Sequence, residues 1–420
     1  MIFDLVLAGG QVVDVGGGRS GRLDVAIQGG RVAAVGPDLP RDSAREVVDV
    51  TGKLVTPGLI DLHTHVHPGA TYWGIDPDPV AWYTGVTTWV DAGSAGAYTI
   101  DSLRAATRSF RVRGAALLNI SALGLTGAHG ECRDLDNCDV DLAAATIAAN
   151  RDLIFGVKVR MDGKTVGTHG LEPLRRALEV AGGAGVPVMV HIGVAPPTVG
   201  EVLGLLRPGD VVTHCASGLA AGMTGPDGLA PAVAEAHAAG VLFDIGHGSG
   251  GFAFDILEAQ LAAGVTPHTV SSDLHARCLH GPAFDLPTTM AKLFAAGLPL
   301  PDVIAAATVR PARALRLPGG AGTLAVGAPA DVAVFTVEEG EFVVADSHKQ
   351  RRTAPRRLVN EATYVAGRLL PPQLPARPKP WIPLTAAQRA ALHRRDQQVR
   401  GLLQTPLVDP GGLAEQFPRG

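Results

Sequence analysis

Leu59-Ile60-Asp61-Leu62-His63-Thr64-His65 is a short apolar run that ends in two histidines one residue apart. Read as a strand, it puts alternate side chains on one face, so His63 and His65 point the same way. Two imidazoles converging at the end of a strand can hold one metal ion. Two histidines in a surface loop give the same spelling, and His-x-His alone does not decide between them. The rest of the chain does. Further strand-like runs follow, and several end in a ligand-type residue: Lys158, His191, His214 and Asp273.

From 59 to about 315 the chain alternates. Eight apolar, β-rich runs occupy 59–65, 87–92, 115–121, 154–160, 187–192, 211–215, 241–245 and 269–273. Ala/Leu-rich helical stretches lie between them, at 100–111, 142–150, 171–182, 198–206, 229–239 and 255–263. Apolar runs without alternation suit parallel strands buried on both faces. Eight β-α units in about 250 residues are the count for a (β/α)8 TIM barrel. An open doubly wound sheet is the alternative. The polar residues fall at the C-terminal ends of the strands, where barrel sites are built, and this favours the barrel.

The flanks read differently. Residues 1–57 carry short strand-like runs at 4–7, 11–15, 24–28 and 31–35, with Gly29-Gly30 as a hairpin turn. Pro57-Gly58 then ends the pattern, and the barrel is expected over 58–320. Residues 321–370 return to β character at 330–335, 341–345 and 362–370. Neither flank has strands enough for two sheets, so the two are expected to join as one small β-sandwich domain. The charged run 349–357 reads as a solvated loop. The remainder, 371–420, is expected to be a Pro-rich arm followed by a helix to about Leu403, begun by the capping-box pair Thr385 and Gln388. It reads as packing on the protein or on a neighbouring subunit of a homo-oligomer, with no chemistry of its own.

Composition narrows the function classes. The chain of 420 residues is 46% hydrophobic, ample for a large core with a smaller domain beside it. Its net charge is −4 and it has no basic stripe, which argues against nucleic acid as a partner. No apolar run approaches ~20 residues, which argues against a membrane span. Met1-Ile2-Phe3-Asp4 lacks a basic region and a cleavage site, so a soluble cytoplasmic protein is expected. The four cysteines, Cys132, Cys138, Cys215 and Cys278, form no C-x-x-C pair; Cys132 and Cys138 share one loop and could pair, but buried thiols are the expected reading. Lysine is rare: Lys53, Lys158, Lys164, Lys292, Lys349 and Lys379 are the whole set.

Rarity makes Lys158 worth weighing. It sits in Ile154-Phe155-Gly156-Val157-Lys158-Val159-Arg160. A lysine at a strand end with its ammonium in water is the ordinary reading. An uncharged lysine amine, however, reacts with CO2 to give a carbamate, an anionic ligand able to bridge two metals. A free ammonium beside two cations would be repelled, so metals and modification stabilise each other. His191 ends Val188-Met189-Val190-His191, and His214 ends Val211-Val212-Thr213-His214. Asp273 follows Val270-Ser271-Ser272, where a carboxylate is costly to bury unless paired, metal-bound or used as a base.

Jointly these residues resemble the ligand set of the amidohydrolase superfamily of metal-dependent hydrolases. The resemblance covers most of 1–370 and leaves the tail outside. It implies His63 and His65 on a first metal, His191 and His214 on a second, and carboxylated Lys158 between them. It also implies that Asp273 binds the first metal and shuttles a proton from a hydroxide that the metals share. Zinc fits imidazole and carboxylate ligands; manganese and iron are the alternatives. The segments Lys158-Val159-Arg160, Asp91-Ala92-Gly93-Ser94-Ala95-Gly96 and Phe243-Asp244-Ile245-Gly246-His247-Gly248 resemble the dihydroorotase-like deacetylases. That branch implies removal of acetyl groups from N-acetyl-D-amino acids or from acetylated 2-hydroxy acids such as acetyl-(R)-mandelate. Dihydroorotases themselves carry Arg two positions after the second histidine; this chain has His67 there.

The expected activity is therefore hydrolysis of an amide or ester of a small acylated acid. Cyclic-amide hydrolysis of the dihydroorotase type and a mononuclear deaminase are the enzymatic rivals. A scaffold that has lost its chemistry is the non-catalytic one, but every ligand position is filled. Substrate contacts are expected from Arg160, a carboxylate anchor or else the partner of Asp162 or Asp91, and from His67, Tyr72, Trp73 and His247. Ser94 and the glycines 93–96 leave room for ligand or simply turn the chain. His275, Cys278 and His280 crowd the loop after Asp273 and are not expected as metal ligands.

Overall fold

The structure, a computed structural model, describes residues 3–219, 222–225 and 228–404. Met1, Ile2 and the last part of the expected tail, 405–420, lie outside the described residues. Seven of the expected runs are parallel strands: Leu59–Thr64, Val86–Ala92, Arg113–Asn119, Ile154–Met161, Val188–Ile192, Val211–Thr213 and Leu242–Asp244. They pair in chain order as one sheet. Their apolar runs have the cause expected: Val157, Val159, Val188, Val190, Val211 and Val212 are all buried.

The eighth run makes single bridges, not a ladder. Thr269 lies beside Asp244, and Leu274 beside Thr64. The His65 N–H donates to the Leu274 carbonyl at 2.9 Å, so the last run meets the first and the barrel closes. The Thr269, Ser271 and Ser272 carbonyls accept from the Ile245, His247 and Gly248 N–H groups, but on the other side regular pairing is interrupted at Ser272 by a side chain. The Ser272 N–H and hydroxyl both donate to the Asp61 carboxylate of the first strand. Helices Ile100–Ser109, Val140–Ala149, Glu172–Ala184, Val199–Leu203, Pro231–Ala238 and Phe254–Ala262 fall where expected. Leu286–Ala295, Leu300–Ala306 and Val309–Ala314 then lead back to the small sheet.

The two flanks join as expected, but their hydrogen bonds run through one sheet of eight strands. Phe3–Asp14 is its centre. The strand turns a corner at Gly9-Gly10, with Gly9 at φ 74 and the register shifting between Leu7 and Gly10. Its first half pairs with Ala44–Asp49 and its second half with Leu54–Pro57. The bent sheet closes over Leu5, Leu7, Val25, Ile27, Val332 and Val334, which supplies the sandwich core from one continuous ladder.

The run 349–357 is not a solvated loop. Arg351–Val365 is a strand paired antiparallel with Val332–Ala345. Its arginines fall on both faces: Arg357 meets Glu338 and Arg356 meets Glu339 across the pair, while Arg352 meets Glu258 of the helix Phe254–Ala262. The arm runs over the barrel from 371, and the helix Ala386–Gln404 starts at the expected capping box, with the Gln388 N–H donating to Thr385 Oγ1 at 3.2 Å. All four cysteines are free and buried. No described helix is long and apolar enough to cross a membrane.

Candidate metal centre

Closing the barrel brings the strand ends to one point. His63 Nε2 and His65 Nε2 each lie 3.2 Å from Asp273 Oδ1. Lys158 Nζ is 3.1 Å from His63 Nε2. The ring of His214 stands 5.1 Å from that of His63 and 4.4 Å from that of His191. Ligand atoms of His63, His214 and Asp273 all fall within 4.8 Å of one another. All six residues line a cavity of about 150 Å³, with Trp73, His275 and Arg277 around them.

Hydrogen bonds behind the imidazoles fix which nitrogen faces inward. The Thr213 hydroxyl donates to the buried Asp244 carboxylate at 2.7 Å, so it accepts from His63 Nδ1, 2.8 Å away. The Ser94 hydroxyl stands in the same way between Asp91 and His65 Nδ1, which is 2.9 Å off. The Gly246 carbonyl can only accept, so His214 Nδ1 carries the proton between them. Each of these three rings therefore turns a bare Nε2 lone pair to the cavity. Such supporting bonds are how metal-ligating imidazoles are held.

This arrangement is unfavourable as it stands. Asp273 Oδ1 is buried with no hydrogen-bond donor, and two imidazole lone pairs face it. Lone pair against lone pair repels unless a cation lies between, so the donor set fits a divalent metal. Protonation of the rings is opposed. Burial, then the Lys158 amine, holds His63 well below the usual imidazole range. Burial takes His65 to about 3 and His214 to about 4. Burial also lowers Lys158 to about 7, which makes a neutral amine accessible near neutrality.

The backbone is shaped around these groups. His214 and Asp273 hold φ of 62° and 46°, conformations rare outside glycine that cost ~1–3 kcal/mol each. Gly93, at φ 84, packs on Lys158: a Cβ there would sit 2.6 Å from Lys158 Cγ. A Cβ on Gly248 would sit 2.2 Å from Asp273 Oδ2. The first of these glycines thus makes room for Lys158, not for ligand.

Several expected substrate contacts lie elsewhere. His67 is 1% exposed and turns away from the cavity, with Nε2 2.7 Å from Ser102 Oγ on the helix Ile100–Ser109. Tyr72 lies edge-on to Trp73 at 5.0 Å and outside the cavity lining, so it props that ring. Trp73 does line the cavity, and its Nε1 is buried with no acceptor. Arg160 reaches the cavity, but its guanidinium is taken by neither Asp162 nor Asp91. Glu131 holds it bidentately, at 2.5 and 2.7 Å. His247 is fully buried beneath the glycine loop 246–251, stacked on Phe252 at 5.0 Å.

The partner of His247 went unread in the sequence. Lys292, 1% exposed on the helix Leu286–Ala295, donates to His247 Nε2 at 2.5 Å and to the Pro282 carbonyl at 2.9 Å. It ties the loop after Asp273 to the loop over Asp273. Burial lowers its amine from 10.5 to about 7. Between those values the unfolded chain binds one more proton at this residue than the folded chain does. Stability therefore rises with pH across that window, by at most about 1.4 kcal/mol per pH unit. Lys292→Met should flatten the rise, read as urea unfolding free energies at pH 7 and pH 9. Parallel profiles for the two proteins would contradict the assignment.

Arg277 is the other residue not anticipated. It is exposed, lies over Trp73 at 5.5 Å and has no carboxylate partner among the described residues. His275, set aside as a ligand, lines the same wall with Nε2 3.9 Å from Asp273 Oδ2.

Comparison with known proteins agrees with this architecture. The amidohydrolase family profile matches residues 221–362. A deacetylase of Agrobacterium fabrum is 36% identical over 337 residues, 79% of this chain and 83% of that protein. A deacetylase of Enterococcus faecalis is 33% identical over 374 residues, 88% of this chain and 99% of its own. Among solved structures, one described as an adenine deaminase superposes with a TM-score of 0.83 at 32% identity, covering 87% of this chain and 99% of that one. One described as a dihydroorotase gives 0.79 at 33%, covering 87% and 98%. With matches of this length and identity over a barrel whose strand ends converge in this way, the chain belongs to the amidohydrolase family, in the part of it that holds these deacetylases.

Proposed function

We infer that this chain is a metal-dependent hydrolase that removes the acetyl group from a small acylated acid, an N-acetyl amino acid or an O-acetyl 2-hydroxy acid. The observation that carries the reading is Asp273 Oδ1, buried without a donor and faced by two imidazole lone pairs. His63, His65 and Asp273 are assigned to one divalent ion, and His191 and His214 to a second. Lys158, as its carbamate, would be a further ligand between these two sets. Ions held there would supply Lewis acidity and would lower the proton affinity of a water.

The residues do the rest. Asp273 is the base that takes the proton from the attacking water and returns it to the leaving nitrogen or oxygen. Gly248, with no side chain, leaves the Asp273 Oδ2 face open for that transfer. Trp73 Nε1 offers an unused donor, and its ring offers an apolar wall. With Arg160 neutralised by Glu131, the substrate carboxylate is assigned to Arg277.

The descriptions of two solved structures raise two rivals, deamination of adenine and hydrolysis of dihydroorotate. Among the described residues, the cavity wall contains no Asn, Gln or Glu to read the edge of a purine. Acetate release from a panel of N-acetyl amino acids and O-acetyl 2-hydroxy acids tests the reading, with ammonia release from adenine and ring opening of dihydroorotate measured alongside. Faster turnover of either rival would overturn it.

Arg277→Met should raise KM for the acid roughly tenfold or more, the worth of a charge-assisted hydrogen bond. It should leave KM for the neutral amide analogue nearly unchanged. Equal rises for both would remove Arg277 from the substrate.

A further inference from the structure

The arm, expected from the sequence to pack without chemistry of its own, roofs a second cavity, of about 400 Å³. Its floor is the barrel rim: Ile75, Val80, Tyr83, Leu279 and Phe284. Its roof is the arm at 375–379 and the helix Ala386–Gln404. The arm is anchored on both loops that edge the catalytic cavity. Trp381 Nε1 donates to the Tyr72 carbonyl at 3.3 Å. Gln388 Nε2 donates to the Arg277 and Gly281 carbonyls at 2.8 and 2.7 Å. The two cavities share a wall, for Ala276 faces this one while His275 and Arg277 face the other.

The charges around it are unbalanced. Arg377, Lys379, Arg394 and Arg395 border the cavity, and none has a carboxylate within ion-pair distance among the described residues. Arg395 lies over the Tyr83 ring at 3.7 Å and bonds Gln398 Oε1 at 3.0 Å. The two acids present are engaged in their own turns. Asp76 accepts from the Asp78 N–H at 3.0 Å, and Asp285 accepts from the Thr288 N–H at 2.8 Å. His280, also in the wall, is kept neutral, since burial and then Arg395 take it down to about 4.

A largely apolar, half-open cleft of this size with a few converging polar groups has the form of a small-molecule site. We propose that this cavity is a second binding site, separate from the metal centre, for a small organic acid with an apolar body. The body lies against Ile75, Leu279 and Phe284. The carboxylate meets Arg394 and, beside it, Lys379, whose ammonium stands 6.0 Å from the Trp381 ring centroid and has no carboxylate partner among the described residues. The assignment does not depend on which reaction the metal centre performs.

The test uses the full-length, metal-loaded protein and 4-(trifluoromethyl)phenylacetate, with its neutral amide as control. Binding is followed by fluorine NMR, and its place by hydrogen exchange. The acid should bind at one site, at least tenfold tighter than the amide, and slow exchange in peptides covering 274–285 and 386–398. Ala391→Phe, which fills the cavity from the helix, should abolish binding. The doubly substituted Lys379→Gln/Arg394→Gln protein keeps the volume and should lose the preference for acid over amide, with its melting temperature as the check on folding. Arg277→Met should bind the probe as the unaltered protein does. No binding, equal binding of acid and amide, binding lost with Arg277→Met, or protection confined to the metal-centre segments would each overturn the proposal.

Discussion

Asp273→Asn leaves the barrel folded and most of the metal bound while turnover falls by about 10²–10⁴-fold, the usual worth of a positioned base. The amide keeps the size of the carboxylate and one oxygen for a metal, but it cannot take a proton. The backbone should hold, because the conformation at 273 (φ 46°) is one that asparagine tolerates well. Metal content and circular dichroism therefore stay close to those of the unaltered protein, and kcat alone collapses. A near-normal kcat would remove Asp273 from proton transfer. The next candidate would then be His275, whose Nε2 is 3.9 Å from Asp273 Oδ2, and not His247, which is sealed beneath its loop.

Lys158→Ala should cost about 10²-fold or more, since losing even a supporting partner of a metal ligand costs about 10–100-fold. The substitution opens a void beside His63, behind the Gly93 backbone that already packs on the Lys158 stem. A short carboxylate such as acetate or propionate fits that void and restores an anion between His63 and His214. Activity and the second equivalent of metal should return together, in proportion to added carboxylate. Rescue of neither would mean that Lys158 holds the site by packing alone. Rescue equally well by a neutral alcohol of the same size would mean the same.

The legible part of this fold was the part governed by local rules. Val157 and Val159, or Val188 and Val190, announce strands because burial on both faces leaves no room for polar alternation. The six residues that the structure brings to one cavity, His63, His65, Lys158, His191, His214 and Asp273, stand at strand ends, so they could be grouped from the sequence. The run around Arg351–Val365 reads as a loop because its arginines come as adjacent pairs, 351/352 and 356/357, one of each pair on either face, and this charge hides the period of two. Failures at the site have another cause. Arg160 finds Glu131, and Lys292 finds His247, across loops whose meeting depends on tertiary packing, so no spacing in the chain foretells either pair. His67 occupies a position that looks functional beside the His-x-His pair, but the chain turns after His65 and delivers it to Ser102. The hydroxyls of Thr213 and Ser94 did leave a signal, since each sits in a segment already singled out.

The tail shows the same limit. Its capping box was readable from Thr385 and Gln388, yet the same Gln388 also reaches the Arg277 and Gly281 carbonyls with its amide nitrogen. A residue read as a local helix signal thus also ties the arm to the catalytic rim.

Crystallography of the protein expressed with bicarbonate and zinc, with data on both sides of the zinc edge, tests the central claim most directly. The account predicts two anomalous peaks about 3.5–4 Å apart, one beside His63, His65 and Asp273 and one beside His191 and His214, with continuous density from Lys158 Nζ reaching both. A single fully occupied peak with a free Lys158 amine would contradict it.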